Sequence, residues 1–94
     1  MGYLHLDIKP ENILVNCDDF SHPDSSKLHL IDYGLSVSYL DAHNNHIRKE
    51  RATVFRGSVL TASKNAFSYN QSRRDDIISM LYLLMYLLRG RLPW

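Results

Sequence analysis

His5-Leu6-Asp7-Ile8-Lys9-Pro10-Glu11-Asn12-Ile13-Leu14-Val15 is the stretch from which the rest of this 94-residue chain can be read. It sets a carboxylate at Asp7 and an ammonium at Lys9, adds a carboxamide at Asn12, five positions after Asp7, and closes on an apolar run. Asn12 carries a neutral carbonyl oxygen, a hard ligand of the kind magnesium prefers. A second oxygen ligand stands in Ile31-Asp32-Tyr33-Gly34, twenty residues after Asn12 and also behind an apolar segment. The glycine is expected to let the chain turn sharply where the acid points inward. Alone, Asp-x-Lys-Pro-x-Asn is compatible with a solvated turn around an ordinary proline. The second acidic motif, in matching β-like surroundings, argues against that reading, because a motif gains force when its structural context agrees.

The spacing resembles the catalytic loop of protein kinases, with residues 5–12 as that loop and 32–34 as the magnesium loop. Phosphoryl transfer is mostly positioning and charge stabilisation, so its site needs a carboxylate for the hydroxyl nucleophile and oxygen ligands for the metal on the triphosphate. On that resemblance Asp7 orients the nucleophile and Lys9 brings positive charge to the transferring group. Asn12 and Asp32 bind Mg2+.

Ninety-four residues make one small domain at most, which buries a modest fraction of its surface. Hydrophobic residues are 45% and charged residues 22%, a globular composition rather than a disordered one. A formal charge of +1 gives no nucleic-acid or membrane signature. Cys17 is the only cysteine, so no intramolecular disulfide forms, and a reducing compartment, cytoplasmic or nuclear, is expected. The first residues lack the basic and apolar regions of a signal peptide. Met1-Gly2 fails as a myristoylation start because position six is Leu6.

Tyr3 to Leu6 reads as a strand stub leading into the loop, and Ile13 to Val15 as a short strand after it. Asn16 to Ser26, with Asp18, Asp19, Pro23, Asp24, Ser25 and Ser26, reads as an exposed polar loop. It lacks the glycine and glutamate of a calcium loop. Lys27 to Ile31 alternates and then turns apolar, which predicts a strand paired with Ile13 to Val15. Antiparallel pairing would bring Asn12 and Asp32 together. Leu35 to Leu60 has no sustained period. Its basic patch, His46, Arg48, Lys49, Arg51 and Arg56, is either a solvated loop or a substrate-facing segment that favours acidic or phosphorylated peptides. The five histidines lack the spacing of a zinc site.

Ser72-Arg73-Arg74-Asp75-Asp76 leads into Ile77 to Leu88, and Arg89-Gly90 closes the far end. Ser72 with Asp75 resembles a capping box, acids occupy the first turn, and Pro93 prevents continuation, so a helix over about 73–89 is predicted. Its apolar residues run right round the cylinder, so it is expected to be buried on nearly all sides. Twelve mainly apolar residues span only about 18 Å, too short for a bilayer. A helix buried all round needs more neighbours than this chain readily supplies, which suggests that the chain is part of something larger.

Beyond the catalytic loop, Phe55-Arg56-Gly57-Ser58, Ser63-Lys64-Asn65, Gln71-Ser72-Arg73-Arg74-Asp75-Asp76 and Leu92-Pro93-Trp94 resemble the casein kinase I branch of the serine/threonine protein kinases. In that branch Ser-Ile-Asn replaces the usual Ala-Pro-Glu, and Ser63 and Asn65 match its ends. The fold implied is α+β, a fragment of the large lobe. It comprises the catalytic loop, a short β-hairpin, an activation segment over 35–63 and a buried central helix, with the small lobe absent. By resemblance Asp7 is the catalytic base, Lys9 the phosphate-contacting lysine, and Asn12 and Asp32 the magnesium ligands. Leu14 and Ile31 lie under the ATP, Ser58 stands where a threonine hydroxyl contacts the catalytic aspartate, and Asp76 anchors the backbone of the catalytic loop. The implied partners are ATP and a protein carrying a serine or threonine hydroxyl.

Four departures from the pattern matter. Leu6 replaces the arginine before the catalytic aspartate, which removes the cation that clamps a phosphorylated activation loop. Leu60 replaces an anion-binding arginine, which puts recognition of primed substrates in question. Tyr33 replaces phenylalanine, a mild change once its hydroxyl finds a partner. The fourth is the missing glycine-rich loop, strand lysine and helix glutamate, together with the helices that would follow Trp94. The isolated chain is therefore expected to be inactive. The competing expectation is a non-catalytic pseudokinase or truncated protein-binding module; a small-molecule phosphotransferase is a weaker third.

Overall fold

The computed structural model describes residues 2–16 and 21–94. Met1, Phe20 and the readings of Cys17, Asp18 and Asp19 lie outside the described residues, as do the side chains of Asp24 and Ser25. Among the described residues, four short strands and one long helix make up the regular structure. They are β1 (Tyr3–Leu4), β2 (Ile13–Val15), β3 (Leu28–Leu30), β4 (Val37–Ser38) and α1 (Arg73–Arg89). Three 3-10 turns, Pro10–Asn12, Pro23–Ser26 and Lys64–Phe67, fill the intervals.

The strands form two antiparallel pairs. In the first, β2 runs against β3 with Ile13 opposite Leu30, Leu14 opposite His29 and Val15 opposite Leu28. Amide-to-carbonyl bonds from Asn16 to Lys27 and from Ile31 to Asn12 extend the ladder at both ends. The β-branched and apolar residues of β2 suit a pleated ribbon. In the second pair, β1 runs against β4, with Tyr3 opposite Ser38 and Leu4 opposite Val37. That pairing draws the residues before His5 onto the segment after the Asp-Tyr-Gly turn. β4 itself was not foreseen, since two residues inside an aperiodic stretch carry no strand signal.

Leu40 bridges to His46, and the carboxylate of Asp41 accepts the amides of His43 and Asn45 at 2.8 and 2.9 Å. This tight turn puts Asn44 in the left-handed region, where asparagine is tolerated (φ 67°). The polypeptide returns to α1 through the Lys64–Phe67 turn, and Phe55 stacks on Phe67 with centroids 4.7 Å apart.

Helix α1 begins where its capping residues predict. The Asp75 carboxylate accepts the amide of Ser72 at 2.7 Å, and Gly90 closes the helix in the left-handed conformation (φ 74°). The expectation of a helix buried on nearly all sides is corrected. Only Asp75, Ser79 and Leu83 are buried, a single stripe at intervals of four. Ile77, Met80, Leu81, Leu84, Met85, Leu87 and Leu88 are exposed, because the rest of the chain packs against that one stripe. Among the described residues no helix is long and apolar enough to cross a membrane.

The interior lies where residues 4–12, residues 57–66 and the first turns of α1 meet. Leu4, Leu6, Ala66, Leu83 and Leu92 supply its apolar part, alongside buried His5, Asp7, Asn12, Thr61, Ser63 and Asp75. Three of the four most deeply buried side chains, Thr61, Ser63 and Asp75, are polar, so hydrogen bonding shapes this core as much as apolar area does.

Candidate active site

Residues 5–12 are held from behind by the start of α1. Both oxygens of Asp76 accept backbone amides from them, Oδ2 from His5 at 2.7 Å and Oδ1 from Leu6 at 3.0 Å. Leu6 sits in the left-handed region (φ 69°), a conformation costing a non-glycine residue about 1–2 kcal/mol. The two charge-assisted bonds offset that cost. The resemblance implied this anchoring role for Asp76.

His5 ties the loop to the hairpin. Its Nδ1 accepts the amide of Asp7 at 3.2 Å, and its Nε2 donates to the carbonyl of Ile31 at 3.0 Å. An acceptor on one nitrogen and a donor on the other assign the neutral ring with its proton on Nε2. Tyr33 packs edge-on against this ring with centroids 5.1 Å apart, and its hydroxyl donates to the carbonyl of Leu30 at 3.1 Å. The hydroxyl that distinguishes Tyr33 from phenylalanine thus has its partner.

Asp7, Lys9 and Asn12 come together. Asp7 is buried, and its Oδ2 accepts from Lys9 Nζ at 3.0 Å and from Asn12 Nδ2 at 3.2 Å. Asn12 Nδ2 also donates to the carbonyl of Asp7 at 2.8 Å. Oδ1 of Asp7 is buried and has no hydrogen-bond partner among the described residues. The hydrogen bond to Asp7 holds the Lys9 ammonium above the ordinary lysine value, and the nearby charges of Asp7, Glu11 and Asp32 act in the same direction against partial desolvation.

The hairpin sets Asn12 one residue away from the partner of Asp32, through the 2.9 Å bond from the Ile31 amide to the Asn12 carbonyl. The sharp turn at the acid differs from the expectation. Asp32 itself is left-handed (φ 62°) and exposed rather than inward-pointing. The amide of Gly34 donates to Asp32 Oδ1 at 3.2 Å, and a Cβ on Gly34 would lie 3.1 Å from that oxygen. The glycine therefore provides close approach rather than a left-handed turn. Strand alternation sets Leu14, His29 and Ile31 on one face of the hairpin, with Leu14 exposed.

Ser58 closes a local turn, its carbonyl accepting the amides of Thr61 and Ala62. Among the described residues no hydrogen bond joins its hydroxyl to Asp7. Two close contacts next to it were not legible in the sequence. Gly57 (φ 121°) lies so near the loop that a Cβ there would be 2.6 Å from the carbonyl oxygen of Leu6. Thr61 donates from its hydroxyl to the carbonyl of Ile8 at 2.7 Å.

Along the outer side of the segment, Lys49 and Arg51 lie over the ring of Tyr69, at 4.3 and 5.7 Å from its centroid. Arg51 and Arg56 line a cavity of about 270 Å³ with Leu6, Val37, Ile47 and Tyr69. The basic patch is thus partly committed to aromatic contacts.

Comparison with known proteins bears on this arrangement. No family model matches the chain. The chain is 43% identical over 99 residues to the casein kinase 1-like protein HD16 of Oryza sativa subsp. japonica. It is 39% identical over 94 residues to a protein of Encephalitozoon cuniculi named "Probable casein kinase I homolog". Each match covers 99% of this chain, which spans 13% and 27% of the lengths of these two relatives. Along nearly its whole length the chain is thus similar to a segment of casein kinase I-like protein kinases.

Proposed function

We propose that these residues are the catalytic-loop segment of an ATP-dependent serine/threonine kinase that transfers the terminal phosphoryl group of ATP to a protein hydroxyl. The observation that supports this best is the asymmetry of Asp7. Oδ2 is taken by Lys9 and Asn12, while Oδ1 is buried and without a partner among the described residues. A buried acceptor without a donor costs about 1–3 kcal/mol, a cost relieved when a substrate hydroxyl donates to it. Asp7 then orients that hydroxyl and receives its proton as the oxygen attacks the phosphorus.

Lys9 keeps its charge at neutral pH and lies beside the path of the transferring group. Asn12 spends its amide nitrogen on Asp7 and keeps its carbonyl oxygen for a cation, and Asp32 presents an exposed carboxylate next along the ladder. One carboxylate and one amide oxygen suit magnesium, which retains several waters; held by Asn12 and Asp32, the ion would neutralise phosphate charge. Leu14 and Ile31, on one face of the hairpin, offer an apolar surface to the nucleotide. Ser58 is assigned to the substrate side, near Asp7.

The activity belongs to the longer protein. The 94 residues contain no glycine-rich loop to cover the phosphates, and by themselves are expected not to transfer phosphate. The test is phosphorylation of casein by the full-length product of the gene. Asn12→Ala and Asp32→Asn should each lower the rate at least tenfold and raise the magnesium concentration needed for half-maximal rate. Transfer that keeps its rate and magnesium dependence in both variants would remove the metal assignment. A product that neither binds nucleotide nor phosphorylates casein would favour a binding module.

A further inference from the structure

Two adjacent acids open α1, and they serve different segments. Asp76 faces the catalytic loop, as described. Asp75 is fully buried and turns to the end of the activation segment. Its Oδ1 accepts the hydroxyl of Ser63 at 2.5 Å, and its Oδ2 accepts Asn65 Nδ2 at 3.3 Å, the Ser72 amide at 2.7 Å and the Ser72 hydroxyl at 3.3 Å. Every one of these partners is a donor. Among the described residues the cation beside it is Arg74, whose Nε stands 3.7 Å from Oδ2 on a half-exposed side chain. Capping α1 needs the Ser72 contacts alone; it does not account for Ser63 and Asn65, which come from another part of the chain.

Those two residues end the strip that faces the catalytic loop. Along that strip Gly57 meets the carbonyl of Leu6, Ser58 accepts the amides of Thr61 and Ala62, and Thr61 donates to Ile8. We infer that Asp75 is a positioning residue which, by gripping Ser63 and Asn65 while Asp76 grips His5 and Leu6, fixes the substrate-facing strip 57–63 relative to Asp7. One helical turn thereby sets the spacing between the base and the strip on which a substrate peptide would lie. The residues that would hold nucleotide, Asn12, Leu14, Ile31 and Asp32, hang on the hairpin and have no bond to Asp75. Loss of the grip therefore acts on the peptide side alone. This inference rests on the kinase reading for its consequence in catalysis, and on the hydrogen bonds for its structural half.

The test is Ser63→Ala in the full-length protein, which removes one grip and leaves the Ser72 cap in place. Asn65→Ala serves as the second variant, and Ser63→Thr, which keeps the hydroxyl, as the rescue. Amide hydrogen exchange should quicken about tenfold at Thr61 and Ala62 in both alanine variants and stay unchanged at His5 and Leu6. The KM for a peptide substrate should rise about tenfold while the KM for ATP is unchanged, and Ser63→Thr should restore both readouts. Unchanged exchange at Thr61 and Ala62, or equal acceleration at His5 and Leu6, would overturn the inference, as would matching rises in both KM values. If the unaltered protein transfers no phosphate, the kinase reading fails while the exchange pattern still decides the grip.

Discussion

Gly57 shows how one residue fixes the approach of two segments. Its φ of 121° is closed to ordinary L residues, and a Cβ would press to 2.6 Å from the Leu6 carbonyl oxygen, a backbone atom that cannot swing aside. Gly57→Ala is expected to destabilise the fold by on the order of 3 kcal/mol, from strain and displacement of the loop together. A urea titration reads it as a lower midpoint at constant slope. Lys9 gives a prediction in pH. Its folded value is raised by Asp7, so the stability from this contact is fully present below the ordinary lysine value and is lost as pH rises through the raised one. NMR titration of Lys9 should show an upward-shifted midpoint in the protein and a smaller upward shift in Asp7→Asn, where only Glu11 and Asp32 still act on it.

At the scale of elements, α1 serves as the platform for the site and is itself only partly covered. Leu83 is buried in its packed stripe, so Leu83→Ala should cost about 2–5 kcal/mol. Leu88 is 86% exposed, and Leu88→Glu should stay within about 0.5 kcal/mol in this chain. Thermal unfolding of the two variants distinguishes a helix held by one stripe from one held on all sides. Asp76→Ala would leave the His5 and Leu6 amides without acceptors and is expected to cost about 2–6 kcal/mol, at about 1–3 for each amide. The same denaturation experiment measures it.

The hairpin was legible because alternation in Lys27 to Ile31 and the apolar, β-branched run after Asn12 are local signals; its register was not stated by them and comes from the structure. The helix was legible from its caps. Its exposure was not, because apolar periodicity shows which sides are apolar and cannot show whether neighbours reach them. The roles expected of Asp7, Lys9, Asn12 and Asp76 rest on motif spacing and resemblance; what the structure adds is that the first three lie together and that Asp76 accepts the amides of His5 and Leu6. Asp75 read as a capping residue only, because Ser63 and Asn65 lie 12 and 10 residues away in chain and nothing in a serine or asparagine announces such a partner. The left-handed turn fell on Asp32 instead of Gly34, since acids tolerate that region and the glycine is used for proximity.

Over the whole molecule, the polar interior and the two acids at the head of α1 hold residues 5–12 so that one buried carboxylate oxygen of Asp7 is left without a partner among the described residues. Likeness to casein kinase I-like proteins along 99% of the chain agrees with it. The most direct measurement is phosphoryl transfer from radiolabelled ATP to casein by the full-length product, compared with its Asp7→Asn variant. The account predicts transfer in the unaltered protein and a loss of about 100-fold or more in Asp7→Asn with nucleotide binding retained. Equal transfer by both proteins, or none by either while the fold is intact, would contradict it.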